Sequence, residues 1–581
     1  MGFQFCLSNK DNRPNARLRG FERYEKKSFG LIQYSRFHKE HHLLIAFDGR
    51  LDHRAELCTR LHLPVDSGPE VIIAHAYLTW GNACPNYLNG DFSFTIWNEK
   101  TRQIFAARDA MGIRPLYFIH LDNREFAIST SLDFLAQTFA QCCNFNIQAL
   151  AKFSIGEYDD RITPYKNIHG LDFGHSLTFG DDKLKIKRWW EPEQVPTSIH
   201  RNEQDYIESF LEIFDQSIME HYRTDRSMMG STMSGGLDST SVTAKTKHLC
   251  SDKTIIPYSY KFNKLTDCDE SGLSQLCGDF LDLQPRWVNC EEHWLFKNIA
   301  TASPYSSLPF FSWESLDREI LCDLKKRGGN VLLTGHGGDS MMTGTLPEII
   351  LGERLRTGHF QALKQLKKKG FSPIRSLYHY IYKPFVSTYR PWPKSKQKKH
   401  PIWLASSPFP TDKPSLYPES RQISRRIDRQ SIYHMIVHNG SGIRRACHYL
   451  QNLADPFAIE YRHPFYDRKL AEFILATPPE LLSRQPPKSF LRKAMRGLLP
   501  EEILSNTHKP LLHSFYLFGI KKELRAIRDL MKKGYLVASG VVDIQAFNKI
   551  LNQAVNGESI EDRGSFMYAI MVEAWIRKRS G

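Results

Sequence analysis

The chain has 581 residues, of which 41% are hydrophobic and 24% charged, with a net charge of +15. That length exceeds what one hydrophobic core organises, so two or more domains of a soluble globular protein are expected. No charge-free apolar run approaches the length of a membrane span, and the N-terminus lacks the basic-then-apolar order of a signal peptide, so neither is expected.

Eleven scattered cysteines include no C-x-x-C spacing, which predicts reduced thiols, a cytoplasmic setting and no zinc site. Much of the positive charge lies in runs at 364–369 and 394–400, the pattern of exposed loops rather than of a nucleic-acid groove, so no nucleic-acid partner is expected.

Residues 30–130 read as β-rich. Leu43 to Phe47 is an apolar strand closed by Asp48-Gly49, Asp91 to Trp97 alternates with period two, and Gln103 to Ala107 and Leu116 to Ile119 follow. Val71 to Tyr77 reads as helical, and 142–200 as a connection. Glu203 to Tyr222 has Tyr206, Phe210, Ile213, Phe214 and Ile218 on one face, a helix packed on a sheet.

The chemistry-bearing stretch is Ser234-Gly235-Gly236-Leu237-Asp238-Ser239-Thr240. It lies between an apolar strand, 227–233, and a helix starting near Ser241. Glycines allow a tight turn and close approach of a ligand, and the free N–H groups of a helix start attract anions. The alternative is a plain helix-capping turn. Thr254 to Tyr260 is a second strand, and Asp269-Glu270-Ser271 opens a helix on an acidic cap. Val331 to Asp339 repeats the theme: strand, glycine-rich turn, acid. Residues 384–420, rich in Pro, Lys and Ser, read as a surface insertion or lid, and 521–581 as structural helices.

The Ser-Gly-Gly-x-Asp-Ser turn resembles the pyrophosphate loop of ATP pyrophosphatases, and it lacks the Lys of a P-loop. Asp48 to Leu57, Leu88 to Phe94 and Ala107 to Tyr117 resemble, in order, the glutaminase domain of asparagine synthetase B relatives. Thr334-Gly335-His336-Gly337-Gly338-Asp339, Glu460-Tyr461-Arg462-His463-Pro464-Phe465-Tyr466-Asp467 and the Lys488 to Pro510 stretch resemble that family's synthetase half.

The resemblance implies an α/β fold. An Ntn-type antiparallel β-sandwich, a degenerate glutaminase, would span 1–190, and an ATP-pyrophosphatase domain with a parallel sheet and helical lobe would span 201–581. It implies ATP and Mg²⁺ as cofactors, with the metal on Asp238 and Asp339. ATP contacts would come from Ser234, Gly235, Gly236, Asp238, Ser239, Thr240, Ser259, Tyr260, Gly335 and Glu270. Catalytic roles fall to Lys509 on the adenylate, and to His336 and Glu460 as candidate bases or hydrogen-bond partners. For Arg462 and Asp467 a bracing role is the expectation.

Gly2 stands where the family's nucleophilic cysteine follows the initiator, and Cys6 is too late, so glutaminase activity is expected to be absent. Gln451 to Pro456 lacks the family's Asp-Arg acceptor pair. Relatives without the cysteine include β-lactam and carbapenam synthetases and lasso-peptide cyclases. The expectation is a lasso cyclase: a precursor peptide is adenylated on an Asp or Glu side chain and closed by its N-terminal amine into a macrolactam, with AMP and pyrophosphate released. A leader peptidase and a leader-binding protein would be partners. The alternatives are an asparagine- or β-lactam-type synthetase of small molecules, a non-catalytic peptide-binding scaffold, and a tRNA thiolase.

Overall fold

The computed structural model describes residues 3–7, 22–26, 29–34, 37–121, 125–181, 183–196, 202–299, 308–309, 313–370, 372–378, 382, 400–405, 431–433, 435–436, 440–508, 510, 512–558 and 564–579. The N-terminal strands are β1 Phe3–Leu7, β2 Glu22–Lys26, β3 Phe29–Tyr34, β4 Phe37–Glu40, β5 Leu43–Gly49, β6 Phe92–Asn98, β7 Gln103–Arg108, β8 Tyr117–Leu121, β9 Glu125–Ser129, β10 Ile168–Gly170, β11 His175–Gly180 and β12 Lys183–Arg188. They form two antiparallel sheets, ordered β10-β8-β9-β1-β3-β2 and β12-β11-β7-β6-β5-β4.

The pattern of β5 explains the layering. Leu44 and Ala46 pack inward with Phe118, Phe126 and Ile128 of the other sheet. Leu43, Ile45 and Phe47 face the opposite way into a second core, with Ile72 and Ile73 of the helix Pro69–Trp80. A strand buried on both faces reads as an unbroken apolar run, as Leu43 to Phe47 does.

The second half is built on a parallel sheet of β13 Met228–Thr232, β14 Thr254–Lys261, β15 Arg286–Asn289, β16 Val331–Leu333 and β17 Glu460–Arg462, ordered β15-β14-β13-β16-β17. Alternate residues of β16 divide between two cores. Val331 and Leu333 join Val242 and Ala244 of the helix Leu237–Leu249 and Phe210, Phe214 and Ile218 of the helix Glu203–Tyr222. Leu332 joins Leu316, Ile320 and Leu324 of the helix Glu314–Lys326 and Leu453 of the helix Gly440–Ala454. The sheet therefore lies between two helical layers, as parallel sheets require.

The C-terminal helices His513–Lys532, Tyr535–Ala538, Ile544–Asn556 and Phe566–Arg577 pack together with the linker helix Ile147–Ser154 of the first half. Part of the segment read as a surface insertion belongs to this core: Trp403 is 0% exposed and its ring lies 6.1 Å from that of Phe547. Residues 400–405 are thus anchored, and 384–399 and 406–420 lie outside the described residues. Among the described residues no helix is long and apolar enough to cross a membrane.

Truncating so large a buried ring leaves a cavity. Trp403→Ala is expected to cost about 3–5 kcal/mol, read as a lowered urea midpoint. A loss under about 1 kcal/mol would place residue 403 at the surface.

Candidate functional site

The strand order reverses between β13 and β16, with β14 and β15 on one side and β17 on the other. At such a reversal the chains leaving the central strands diverge, opening a crevice at the strands' C-terminal ends where ligands bind. Both glycine-rich turns sit there. One leaves β13 and enters the helix Leu237–Leu249; the other leaves β16 and enters the short helix Gly338–Met342.

The two turns touch, and glycine is what permits it. A Cβ at Gly335 would lie 2.4 Å from Ser239 N, and one at Gly338 would lie 2.3 Å from Asp238 Cγ. Within the first turn, Ser234 Oγ is 2.9 Å from Ser239 Oγ, and Gly236 N donates to Ser234 Oγ at 3.3 Å. Gly236 occupies the N-cap of its helix and makes no side-chain cap bond, at a helix start that favours an anion. Thr240 does otherwise: it is buried and its hydroxyl donates to Gly236 O at 2.6 Å, bracing the turn.

Asp238 and Asp339, about a hundred residues apart in sequence, meet at one ammonium. Lys488 Nζ is 2.5 Å from Asp238 Oδ2 and 2.6 Å from Asp339 Oδ1. The carboxylates therefore stand no farther apart than those two ion-pair lengths together. Burial works to lower the pKa of Lys488, but the two carboxylates outweigh it and hold it above the ordinary lysine value. The Asp238 side chain is 17% exposed and that of Asp339 57%, so the pair opens toward solvent on the Asp339 side.

Two carboxylates beside a helix start fit a Mg²⁺ ion that takes its remaining ligands from water and phosphate oxygens. Among the described residues no group of three or more His, Cys, Asp and Glu gathers as an all-protein metal cage. Lys488 lay inside a stretch whose resemblance pointed instead to Lys509, which lies outside the described residues.

His336 is exposed at the second turn, near the carboxylate of Asp339. The Thr334 hydroxyl lies 3.1 Å from His336 Nδ1 and 2.7 Å from His463 Nδ1, and accepts from His336 N at 3.2 Å. That leaves the Nε2 of His336 as the ring nitrogen available to a ligand. Thr334 and His463 lie inside two of the motifs read from the sequence, but no site role was expected of either. A hydroxyl one residue before the first glycine of the turn was the signal that could have found Thr334.

Several expected residues fall elsewhere. Glu460 is level with Val331 at the start of β16, at the opposite end of the sheet from the glycine turns. It pairs with Arg114 of the first half and with Arg462 at 2.7 Å, and these guanidiniums hold its carboxyl well below the usual range despite burial. An acid so held is a poor base, so Glu460 is an interdomain brace rather than a substrate-facing group.

Ser259 is buried, with its hydroxyl donating to Met233 O, so its side chain supports the first turn from behind. Tyr260 faces the other side of the sheet, its ring 5.7 Å from that of Trp313. Glu270 holds the N-cap position of the helix Ser271–Leu281 without a capping side-chain bond, and Asp269 instead accepts from Phe262 N at 2.9 Å. Asp467 caps the helix Arg468–Ala476 through Leu470 N at 2.9 Å. Gln451 ties the helix Gly440–Ala454 to β17, accepting from Tyr461 N at 3.1 Å.

The halves are welded by buried charge. Arg50 pairs with Asp52 at 2.6 Å and Asp91 at 3.2 Å, and reaches His221 Nε2 of the second half at 3.0 Å. Burial acts against the charge on Asp52, yet Arg50 and Arg223 beside it hold its carboxyl down at about 2. In β1 the backbone of Cys6 is in register with Ala127 of β9, inside a sheet ladder.

The chain belongs to the asparagine synthase family. The model described as asparagine synthase matches residues 209–577, and that described as a glutamine amidotransferase domain matches 37–190. The chain is similar to amidase chry2 of Gibberella zeae, 22% identical over 560 residues, covering 87% of this chain and 81% of that protein. It is similar to asparagine synthetase [glutamine-hydrolyzing] 3 of Bacillus subtilis, 23% identical, covering 84% and 78%. Among solved structures it matches the glutamine phosphoribosylpyrophosphate amidotransferase of B. subtilis, complexed with ADP and GMP, at a TM-score of 0.21 and 16% identity, over 40% of this chain and 52% of that one. The family match makes it an asparagine synthase-type, ATP-dependent ligase.

Two outcomes follow from the charges. Lys488→Met leaves two facing carboxylates, which is expected to cost about 1–3 kcal/mol, less than a fully buried pair because the site is partly open. Millimolar Mg²⁺ should recover most of that loss in thermal melts, and no recovery would argue against a divalent site. Asp52 has a depressed folded pKa, so its stabilisation is present above about pH 4 and lost as pH falls through 2. Urea midpoints should drop between pH 4 and 2, and Arg50→Met should flatten that drop.

Proposed function

We propose that the chain forms an amide bond by adenylating a carboxylate at the crevice between β13 and β16, with an amine other than glutamine-derived ammonia as acceptor. The observation that supports this reading is the meeting of Asp238 and Asp339 at the reversal point of the sheet.

The chemistry has two steps. A carboxylate oxygen of the substrate attacks the α-phosphorus of ATP, the bond to the bridging oxygen breaks, and pyrophosphate leaves. The amine nitrogen then attacks the acyl carbon, the carbon–oxygen bond to AMP breaks, and the amine's proton is released. Both transition states gather negative charge, so fixed donors and cations do most of the work. The turn from Ser234 to Ser239 with its uncapped helix start holds the leaving pyrophosphate. Mg²⁺ on Asp238 and Asp339 neutralises phosphate charge when bound. Lys488, which pairs with both acids here, would supply an ammonium to the phosphates if a metal took its place between them. His336, oriented by Thr334, offers Nε2 to the adenylate or to the amine. Lys509 is retained as a candidate for the adenylate oxyanion, and Gly335 as the floor under the nucleotide.

Glutaminase chemistry of the family's type needs a cysteine with a free α-amine. The register of Cys6 within the sheet ladder, together with Asp48, Arg50 and Arg114 being taken up in ion pairs, favours a first half that serves as a brace. The acceptor amine then comes from a second substrate or the same molecule. We propose the latter: closure of an isopeptide ring in a precursor peptide, with a leader peptidase and leader-binding protein upstream. A second reading, amidation of a small carboxylate, is favoured by the similarity to a Bacillus asparagine synthetase.

ATP–pyrophosphate exchange tests the chemistry. A leader-free peptide carrying an Asp or Glu should support exchange, and Asp238→Asn should lower it about 10²–10³-fold. Exchange with aspartate and ammonia instead would establish the second reading, and exchange unaffected by Asp238→Asn would refute both.

A further inference from the structure

From Arg354 to Tyr378 the sequence has no Asp or Glu, while Lys and Arg occur seven times, in a chain whose whole net charge is +15. The stretch includes the end of the helix Pro347–Arg356, the helix Gln361–Lys368 and the short helix Pro373–Leu377, and the second packs against the other two. Leu351, Leu355, Ala362 and Leu366 give the first two of these helices a small core of their own, separate from the cores around the sheets. Arg356 pairs with Glu353 at 2.6 Å and Lys369 with Glu348 at 3.4 Å. Arg354, Lys364, Lys367, Lys368 and Arg375 are exposed and make no ion pair with any described residue.

The short helix of this lobe is inverted. A helix on a globular protein turns its apolar stripe inward and its polar side chains outward. Here Ile374, Leu377 and Tyr378 stand three and four positions apart, on one helical face, and they are 80%, 37% and 52% exposed. Ser376 is the buried residue of the turn, its hydroxyl donating to Ser372 O at 3.0 Å. The Tyr378 ring stacks at 5.7 Å on that of Tyr382, which is also exposed. Phe360, 67% exposed, has helical backbone just ahead of the helix Gln361–Lys368, one turn from Lys364 and two from Lys367. Bulky apolar side chains and exposed ammoniums therefore share the outside of the lobe.

The lobe is rooted between two segments of the site. Thr345, six residues after Asp339, donates its N–H to Ser483 Oγ at 2.9 Å, and Ser483 lies five residues before Lys488. A surface that holds the lobe thus sets how the crevice stands toward that surface.

Charge alone admits any anionic partner, and the apolar side chains decide among them. RNA offers phosphates and stacking faces, but nothing for the aliphatic Ile374 and Leu377. An acidic polypeptide is held in a groove or on a sheet edge, whereas Phe360 and Ile374 protrude. An anionic bilayer meets both features: its phosphates attract ammoniums, its acyl boundary takes protruding apolar side chains, and tyrosines settle at headgroup level. We infer that the lobe from Arg354 to Tyr378 docks on an anionic lipid bilayer. Lys364, Lys367, Lys368 and Arg375 lie against the headgroups, and Phe360, Ile374 and Leu377 enter beneath them. This contact is independent of which amide the crevice forms.

The test is flotation of the full-length protein with vesicles of phosphatidylcholine alone, and with vesicles in which about one-third of the lipid is phosphatidylglycerol. Binding is expected with the anionic vesicles only, and its loss in about 0.5 M NaCl. Joint Ile374→Ser and Leu377→Ser keeps every charge and is expected to weaken binding about threefold or more. Joint Lys364→Glu and Lys367→Glu is expected to weaken it about tenfold or more. Thermal melts confirm that the variants are folded, and the lipid and salt comparisons need no variant. No binding to the anionic vesicles, equal binding to phosphatidylcholine alone, or binding that a folded Ile374→Ser, Leu377→Ser protein keeps in full would each overturn the proposal. So would release of the protein from the vesicles by polyglutamate or by a single-stranded RNA at matched charge, which would name that polymer as the partner instead.

Discussion

One ammonium shared by two carboxylates holds this site together. Lys488 reaches Asp238 across 250 positions of sequence, and Asp339 closes on the same nitrogen. Without a cation between them, two acids at that separation repel, and the turns that carry them would part. The backbone at Lys488 is left-handed, with φ of 60°, a conformation that costs a non-glycine residue about 1–2 kcal/mol. That strain is borne at the position that delivers the ammonium. The two acids are thus already brought together and electrostatically satisfied by Lys488.

The crevice depends in turn on the strand order. Only because β16 lies beside β13 do two turns from distant parts of the chain come into contact, and only glycine at 335 and 338 lets them approach so closely. The ion pairs of Arg114 with Glu460 and of Arg223 with Asp52, and the contact of Arg50 with His221, fasten the first half to the second. Buried ion pairs add modest net stability but fix geometry, since breaking one strands a charge. The amidotransferase half then sets the position of β17 and of the His463 that follows it, whether or not it carries a chemistry of its own.

Much of this was legible in the residues. Periodicity located β5, β6, β13, β14 and the helix Glu203–Tyr222, because burial on one or both faces writes itself into the apolar pattern. The two glycine turns were legible because close backbone approach demands glycine. What periodicity could not show was which end of a strand a polar residue occupies. Glu460 lay in a motif with Arg462, but its level in the sheet and its pairing with Arg114 are tertiary facts. Lys488 and Lys509 belong to one basic stretch, and no local rule says which of them meets Asp238.

The most direct test is a crystal structure of the protein soaked with Mn²⁺ and an ATP analogue that cannot be cleaved between its α and β phosphates, with anomalous scattering used to place the metal. The account predicts a manganese peak within about 2.1 Å of oxygens from both Asp238 and Asp339, with Lys488 turned onto phosphate. A nucleotide bound elsewhere, or a metal held by only one of the two acids while Lys488 keeps both, would contradict it.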